Sequence, residues 1–134
     1  MPRVMLDTNV CIYAMRGRPP ALHRRIEALS RSEVTISSIV LAELWVGVAK
    51  SQFQLRNEAS LISFLSRVTI LNWPASAARI YGSVRAHLEL RGTPIGALDL
   101  LIAAHALHEE VPLVTNNREE FRRVPGLKVQ SWIR

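Results

Sequence analysis

Short apolar runs alternate with stretches of helical periodicity along the whole chain. The apolar runs predict strands at positions 4–6, 34–36, 68–71, 112–114 and 128–132. Between them, apolar residues spaced three or four apart predict helices over 10–15, 22–29, 39–49, 75–91, 97–110 and 116–123, with a further amphipathic helix around 61–68. This alternation predicts an α/β fold with a mainly parallel central sheet flanked by helices on both faces.

Length and composition limit the domain count and the class of protein. A chain of 134 residues can bury one hydrophobic core but not two, so we expect a single domain over 1–134. With 49% apolar and 21% charged residues, the composition excludes a disordered chain. The one cysteine, Cys11, cannot form an internal disulfide or a Cys-rich zinc site and is expected in the core. No apolar stretch is long enough to cross a membrane, and we expect a cytoplasmic protein.

The charge of the chain is basic and arises mainly from arginine. The formal net charge is +6, and fifteen of the seventeen cationic residues are Arg. A guanidinium holds phosphate through two hydrogen bonds, which favours a nucleic-acid partner. A GC-rich genome would produce the same arginine excess, so the charge alone does not locate a site.

The carboxylates carry more information, because the chain has only two aspartates and both lie in apolar elements. Asp7 directly follows the first predicted strand, although Asp7, Thr8 and Asn9 also suit the N-cap of the next helix. Glu43 is the only ionisable residue between positions 39 and 48, in a helix apolar enough to be buried on most sides, unless Glu43 marks a solvent-facing strip. Asp99 stands near the start of another apolar helix, where the helix dipole would also favour it.

Together the three carboxylates predict a metal site. The predicted sheet would gather Asp7, Glu43 and Asp99 at its carboxyl edge, where α/β proteins bind ligands. Converging carboxylates repel one another unless a hard divalent cation such as Mg²⁺ or Mn²⁺ neutralises them. With an arginine-rich surface, this arrangement points to metal-assisted chemistry on a phosphodiester.

Four sequence blocks, in order, resemble PIN-domain ribonucleases and, within them, the VapC-type toxins of bacterial toxin–antitoxin pairs. The blocks are Val4-Met5-Leu6-Asp7-Thr8-Asn9, Ile36-Ser37-Ser38 with Leu41-Ala42-Glu43-Leu44, Gly96-Ala97-Leu98-Asp99-Leu100-Leu101-Ile102-Ala103, and the segment from Val114 to Leu127. The resemblance covers essentially the whole chain and implies a PIN-like fold.

The resemblance also implies roles for individual residues. Asp7, Glu43 and Asp99 would bind one or two Mg²⁺ or Mn²⁺ ions. Many PIN domains carry a fourth acid at the position of Asn117; in the subgroup resembled here Glu120 would take that place, with Glu119 as the competing choice. The residues expected to orient ligands or water are Thr8, Thr115 and Asn117.

The implied activity is endonucleolytic hydrolysis of RNA that leaves a 5′-phosphate and a 3′-hydroxyl. The implied substrate is structured RNA, with the anticodon stem-loop of initiator tRNA suggested by the last block. A homodimer silenced by a VapB-like antitoxin is the implied assembly. The alternative is a catalytically weak or inactive module of the same fold that binds RNA or the antitoxin.

The remaining candidates each have two interpretations. Arg85 and Arg91 would contact RNA phosphates or form a solvated helix face. His105 and His108 lie beyond Asp99 without a zinc-binding spacing and are expected to be structural or at the surface. The three tryptophans are scattered, which favours ordinary packing over a base-stacking platform; they are Trp45, Trp73 and Trp132.

Overall fold

The computed structural model describes residues 3–133, which form a five-stranded sheet and seven helices. The strands are β1 (Val4–Leu6), β2 (Val34–Ser37), β3 (Thr69–Leu71), β4 (Leu113–Val114) and β5 (Val129–Gln130). The helices are α1 (Thr8–Met15), α2 (Pro20–Glu27), α3 (Ser38–Lys50), α4 (Gln54–Leu65), α5 (Ala77–Leu90), α6 (Ala97–Glu109) and α7 (Arg118–Phe121).

All neighbouring strands pair in parallel, in the order β3-β2-β1-β4-β5. The central strand β1 pairs with β2 through Val4 opposite Val34 and with β4 through Leu6 opposite Val114. The chain first builds the sheet outward from β1 to β3 and then returns past β1 to add β4 and β5. Because such crossovers are right-handed, α1 to α4 lie on one face of the sheet and α5 and α6 on the other. The predicted α/β fold with a parallel, helix-flanked sheet is confirmed.

Local sequence signals explain where the helices begin and end. The Oδ1 atom of Asp7 accepts a hydrogen bond from the Val10 amide at 3.0 Å and so caps α1. Ser37 caps α3 by accepting from the Ile39 amide at 3.1 Å. Gly92, with φ of +72°, ends α5 in the left-handed conformation that glycine adopts without strain.

The core is formed by the strands and by one face of each major helix. The strands contribute Met5, Leu6, Ile36 and Leu113, all with no exposed surface. Burying an aliphatic side chain of this size contributes roughly 1.5–3 kcal/mol before entropy is counted. Cys11 is fully buried in the same core, as expected, and burial raises the pKa of its thiol well above the ordinary value. In residues 3–133, no helix is both long and apolar enough to cross a membrane.

The structure differs from the predicted elements at their ends and on one helix face. The last strand and the short helix before it are shorter than predicted, and α1 begins at Thr8, directly behind its cap. The prediction that the 39–49 helix is buried on most sides is wrong. Val40, Leu44 and Val48 form its buried stripe, whereas Trp45 and Val46 are 37% and 55% exposed. The helix packs against the rest of the domain along one side only. Its apolar composition therefore does not show how much of its surface is buried.

Candidate functional site

The candidate site lies at the carboxyl edge of the sheet, where the strand order reverses. The connections from β1 lead outward to β2 and β3, whereas β4 joins β1 on its other side. The loops after β1 and β4 therefore diverge and leave a crevice between them, as at the ligand sites of other open α/β sheets. Asp7 follows β1 and Thr115 follows β4, so both side chains stand at the mouth of this crevice.

Asp7 is buried and held on both carboxylate oxygens. One oxygen caps α1, and the other accepts a short hydrogen bond from the hydroxyl of Thr115, which is itself fully buried. The Thr115 hydroxyl also accepts from the Asn117 amide at 2.9 Å, which fixes the turn after β4. Burial raises the pKa of Asp7, the Thr115 and Val10 hydrogen bonds lower it, and the charge of Glu43 raises it further.

Glu43 enters the site from α3. Its Oε1 accepts a hydrogen bond from the Thr8 hydroxyl at 2.6 Å, so the first residue of α1 orients a carboxylate thirty-five positions away. The side chain is half-buried, at the end of a groove between α1, α3 and α4. Glu43 therefore lies neither in the core nor on the open apolar face of its helix.

Asp99 completes the group from the first turn of α6. Burial raises the pKa of its carboxyl to about 7, and three further carboxyls contribute. Glu120 contributes most among them, since it is within hydrogen-bonding reach and can share a proton with Asp99; the charges of Glu43 and Asp7 add to the effect. The pKa of Asp99 thus responds to the other three predicted acids, and the four are called the acid cluster below: Asp7, Glu43, Asp99 and Glu120.

Glu120, Glu119 and Asn117 occupy different surroundings. Glu120 faces Asp99, and its Oε2 accepts a hydrogen bond from the Asn117 side-chain amide at 2.6 Å. Glu119 is exposed and has no polar contact within the part of the chain that the structure describes. Asn117 thus stands beside the fourth carboxylate as its hydrogen-bond donor, which favours Glu120 over Glu119 for the fourth position.

The donor set suits a hard divalent cation. The carboxyl and hydroxyl side chains named around the crevice offer oxygen, while Cys11 and His105 are buried in the core. Within residues 3–133, no three His, Cys, Asp or Glu side chains lie close enough together to hold one metal ion. Mg²⁺ does not need three protein ligands, because it retains several waters and binds through one or two carboxylates. A nearby cation would also stabilise the charged form of Asp99, whose pKa is raised first by burial and then by the neighbouring carboxyls.

The predicted arginines and histidines do not join the acid cluster. Arg85 is engaged on its own helix, donating to Glu89 at 2.8 Å and to the Tyr81 hydroxyl at 2.9 Å. Arg91 caps the end of α5 and is exposed. His105 is fully buried, with Nδ1 2.8 Å from the Ser37 hydroxyl, and so is structural as expected.

His108 and the tryptophans make packing and surface contacts. His108 lies at the far end of α6, where its Nε2 is 2.6 Å from the Ser76 hydroxyl. Trp73 donates from its indole nitrogen to the Leu101 carbonyl at 2.8 Å, and Trp132 packs under the guanidinium of Arg25. Ordinary packing is confirmed for these two tryptophans, whereas Trp45 is partly exposed.

Sequence reasoning overlooked Arg16. Arg16 lies at the end of α1 and, together with Glu43, lines a hollow of about 260 Å³. Neither Arg85 nor Arg91 lines that hollow. The only sequence signal was its place in the Arg16-Gly17-Arg18 turn, a surface turn like many others.

The chain is similar over nearly its whole length to proteins of one family. Residues 4–127 match the PIN domain. The chain is 46% identical over 129 residues to the Ribonuclease VapC2 of Rickettsia felis, with 96% of each chain covered. It is 41% identical over 132 residues to the tRNA(fMet)-specific endonuclease VapC of Shigella flexneri, with 98% of this chain and 99% of the relative covered.

A solved structure shows the same fold. The chain superposes with a TM-score of 0.92 and 40% identity on a chain of the crystal structure of DNA-bound VapBC from Salmonella typhimurium. That superposition covers 98% of this chain and 99% of the other.

Proposed function

Because the chain belongs to the PIN-domain family, and within it to the VapC group, we propose that it is a metal-dependent endoribonuclease, the toxin of a toxin–antitoxin pair. The observation that carries the proposal is the group of four carboxyls at the sheet edge, where burial first and the neighbouring carboxyls second raise the pKa of Asp99 to about 7. A bound divalent cation would offset both effects by stabilising the charged carboxylate.

In this proposal Asp7, Glu43 and Asp99 hold Mg²⁺ or Mn²⁺, with Glu120 as the fourth acid. A divalent cation supplies Lewis-acid chemistry when bound, by lowering the pKa of a water and offsetting charge on the phosphate. The Thr115 hydroxyl fixes the orientation of Asp7, and that of Thr8 fixes Glu43. Removing such orienting hydrogen bonds typically costs 10–100-fold in metal affinity or activity.

The remaining residues of the crevice control the geometry of the fourth acid. Asn117 spans the last turn, because its backbone donates to Thr115 and its side chain donates to Glu120. Motion of this turn would therefore move Asp7 and Glu120 together. No Ser, Cys or His of the chain is assigned as a nucleophile. The resemblance to PIN-domain ribonucleases implies attack by water, which leaves a 5′-phosphate and a 3′-hydroxyl.

The finer assignment of substrate rests on the relatives. Initiator tRNA is the proposed substrate because a relative 41% identical to this chain is named a tRNA(fMet)-specific endonuclease. A VapB-like antitoxin is the proposed partner because a similar chain occurs in a VapBC complex. We also propose a homodimer, for which the exposed apolar side of α3 offers surface.

The test is cleavage of RNA by purified protein freed of antitoxin. Initiator tRNA and an elongator tRNA are incubated with the wild-type protein and with Asp99→Asn and Glu119→Gln, in Mg²⁺, in Mn²⁺ and in EDTA. We expect initiator tRNA to be cut only with metal, by wild type and Glu119→Gln, with Asp99→Asn reduced at least 100-fold. Glu119→Gln is the matched control, because it removes the same charge at an exposed position two residues from Asn117 without touching the cluster.

Two results would refute this assignment. Cleavage in EDTA, or undiminished cleavage by Asp99→Asn, would exclude metal-dependent catalysis by the acid cluster. Binding of RNA without cleavage under every metal condition would favour the alternative, an inactive module that binds RNA or the antitoxin.

A further inference from the structure

A groove leads away from the acid cluster along α1 and α4. It consists of two adjoining hollows, one of about 260 Å³ that includes Glu43 and one of about 350 Å³ between α1, α2 and α4. Met15 and Ser60 line both hollows, so the two hollows adjoin. Together they make a path from Glu43, a proposed metal-binding carboxylate, to the space between α1, α2 and α4.

The charge of the groove reverses along this path. Glu43 marks the acidic end, and Arg16 lines the same hollow. The far hollow is lined by His23, Arg56 and Arg67 and has no carboxylate on its wall. A ligand with a repeating negative charge would therefore meet cations at intervals after leaving the acid cluster.

The two arginines of the far hollow are exposed and free of counter-ions. Within residues 3–133, no carboxylate oxygen lies within 4.0 Å of Arg56 or Arg67. Arg56 is instead positioned by Phe53, whose ring centroid lies 4.6 Å from its guanidinium carbon. His23 differs, because Glu27 lies 2.7 Å from its Nε2. Arg56 and Arg67 are thus the cations most available to an anionic ligand.

The rest of the wall suits nucleotides as well as phosphates. Ser60 and Ser63 present hydroxyl groups, while Ile26 and Phe64 form the apolar floor of the far hollow. Apolar surface beside cations accommodates unstacked bases while the backbone phosphates remain at the guanidinium groups.

We propose that the groove between α1, α2 and α4 binds the RNA strand that flanks the cleaved bond, with Arg56 and Arg67 contacting its phosphates and Arg16 lying nearest the acid cluster. This proposal rests on the proposed ribonuclease function and adds where the substrate lies. Arg56 and Arg67 should therefore contribute to the affinity for RNA but not to the rate of bond cleavage, because the hollow at Glu43 separates them from the other carboxylates.

The test compares two double variants of equal charge. Arg56→Gln/Arg67→Gln removes the groove cations. Arg79→Gln/Lys128→Gln removes two exposed cations that line neither hollow, Arg79 on α5 and Lys128 directly before β5. Both are made in an Asp99→Asn background so that RNA is not cut. Binding of a fluorescein-labelled initiator tRNA transcript is followed by anisotropy in Mg²⁺ over a series of salt concentrations.

We expect the groove variant to bind the transcript at least tenfold more weakly than its parent and the control variant less than threefold more weakly. Each lost phosphate contact should reduce the slope of log K against log salt by about 1, so the groove variant should lose about 2. With Asp99 restored, the groove variant should raise the KM for cleavage and leave kcat unchanged. The melting temperature of each variant checks the fold, and both substituted arginines are exposed.

Equal affinities and slopes for the two double variants, or an absence of RNA binding by the parent, would overturn the proposal. So would unchanged RNA binding by the groove variant together with loss of binding to poly-L-glutamate, which would identify a groove for an acidic peptide. The ribonuclease function is tested separately. If the protein with Asp99 restored binds RNA through the groove but cuts none, the groove proposal stands and the proposed ribonuclease function fails.

Discussion

At the scale of single residues, the site uses side chains that also have ordinary structural roles. Asp7 caps α1 with one oxygen and accepts from Thr115 with the other, so both interpretations of Asp7 from the sequence hold at once. Thr8 begins α1 and orients Glu43. Asp7 can therefore cap a helix and also belong to the site, because its carboxylate has two oxygens that face different groups.

Replacing Asp99 with Asn should stabilise the metal-free protein. In the folded state its pKa is about 7, against 3.8 for the free side chain, so the folded protein holds a proton that the unfolded chain releases. Its contribution to stability is complete below about pH 4 and is lost as the pH rises through 7. Solvent screening limits the gain at pH 8 to about 1 kcal/mol, or roughly 3–6 °C in Tm.

Thermal melts in EDTA at pH 5 and pH 8 measure this effect. The advantage of Asp99→Asn over wild type should be larger at pH 8, and the exposed control Glu119→Gln should show little change at either pH. An advantage that is equal at both pH values, or absent at pH 8, would contradict the repulsion inferred for the cluster.

Glu120 and Glu119 can be separated by matched substitutions. Glu120 faces Asp99 and is held by Asn117, whereas Glu119 is exposed. We expect Glu120→Gln to lower the rate of RNA cleavage at least tenfold and Glu119→Gln to leave it within twofold. Single-turnover cleavage in Mn²⁺ gives both rates, and the reverse ranking would move the fourth acid to Glu119.

At the scale of elements, α6 connects the site to the core. Its first turn presents Asp99, and two turns later His105 contacts the cap of α3 through Ser37. The helix that places one acid is therefore fastened to the start of the helix that carries Glu43. This contact joins residues 37 and 105, and no local pattern in the sequence indicates it.

The buried His105 should make stability sensitive to acid. Burial lowers its pKa below 6.5, outweighing the charge of Glu109, which lies 3.8 Å from its Nε2 and raises the pKa; His108 lowers it slightly. The unfolded chain therefore binds a proton below pH 6.5 that the folded protein excludes, and stability falls as the pH drops. The loss attributable to His105 therefore begins near pH 6.5 and grows as the pH falls further.

Urea unfolding of wild type, His105→Gln and His87→Gln at pH 7.5 and 5 tests this expectation. His105→Gln should be less stable at pH 7.5 but lose less on acidification than wild type. His87 is exposed on α5, so His87→Gln should lose as much as wild type. Equal acid losses in all three proteins would show that His105 is not the titrating group.

At the scale of the whole molecule, charge is divided between a basic surface and an acidic crevice. The net charge is +6, and among the arginines and lysines that the structure describes only Arg3 and Arg85 come within 4.0 Å of a carboxylate. The surface thus attracts a polyanion over a distance, while the crevice attracts a cation locally.

A divalent cation that binds only the folded protein should raise its melting temperature. At a concentration 100-fold above the dissociation constant the stabilisation is about 2.7 kcal/mol. We expect Mn²⁺ to raise the Tm of wild type by several degrees and that of Asp99→Asn by less than half as much. The reference Tm of each protein is measured in EDTA, and all buffers are free of Ca²⁺. The same shift in both proteins would place the binding site outside the acid cluster.

The sequence by itself determined the class of fold and the set of acids. Strand and helix periodicity follow from which residues must be buried, and an isolated carboxylate in an apolar run is costly enough to stand out, so Asp7, Glu43 and Asp99 could be selected without coordinates. Helix ends were less well predicted because capping depends on individual hydrogen bonds. The exposed side of α3 was mispredicted, because composition does not report which helix faces have neighbours.

Only the tertiary structure decided which distant groups meet. The turn after β4 brings Asn117 to Glu120 and Glu120 to Asp99, which distinguishes it from the adjacent Glu119. The packing of α4 beside α1 likewise places Arg56 and Arg67 on the groove that reaches Glu43, while Arg85 turns to its own helix. The meeting of Glu120 with Asp99 and of α4 with α1 joins residues far apart in sequence, whose contacts are set by packing and not by local preference.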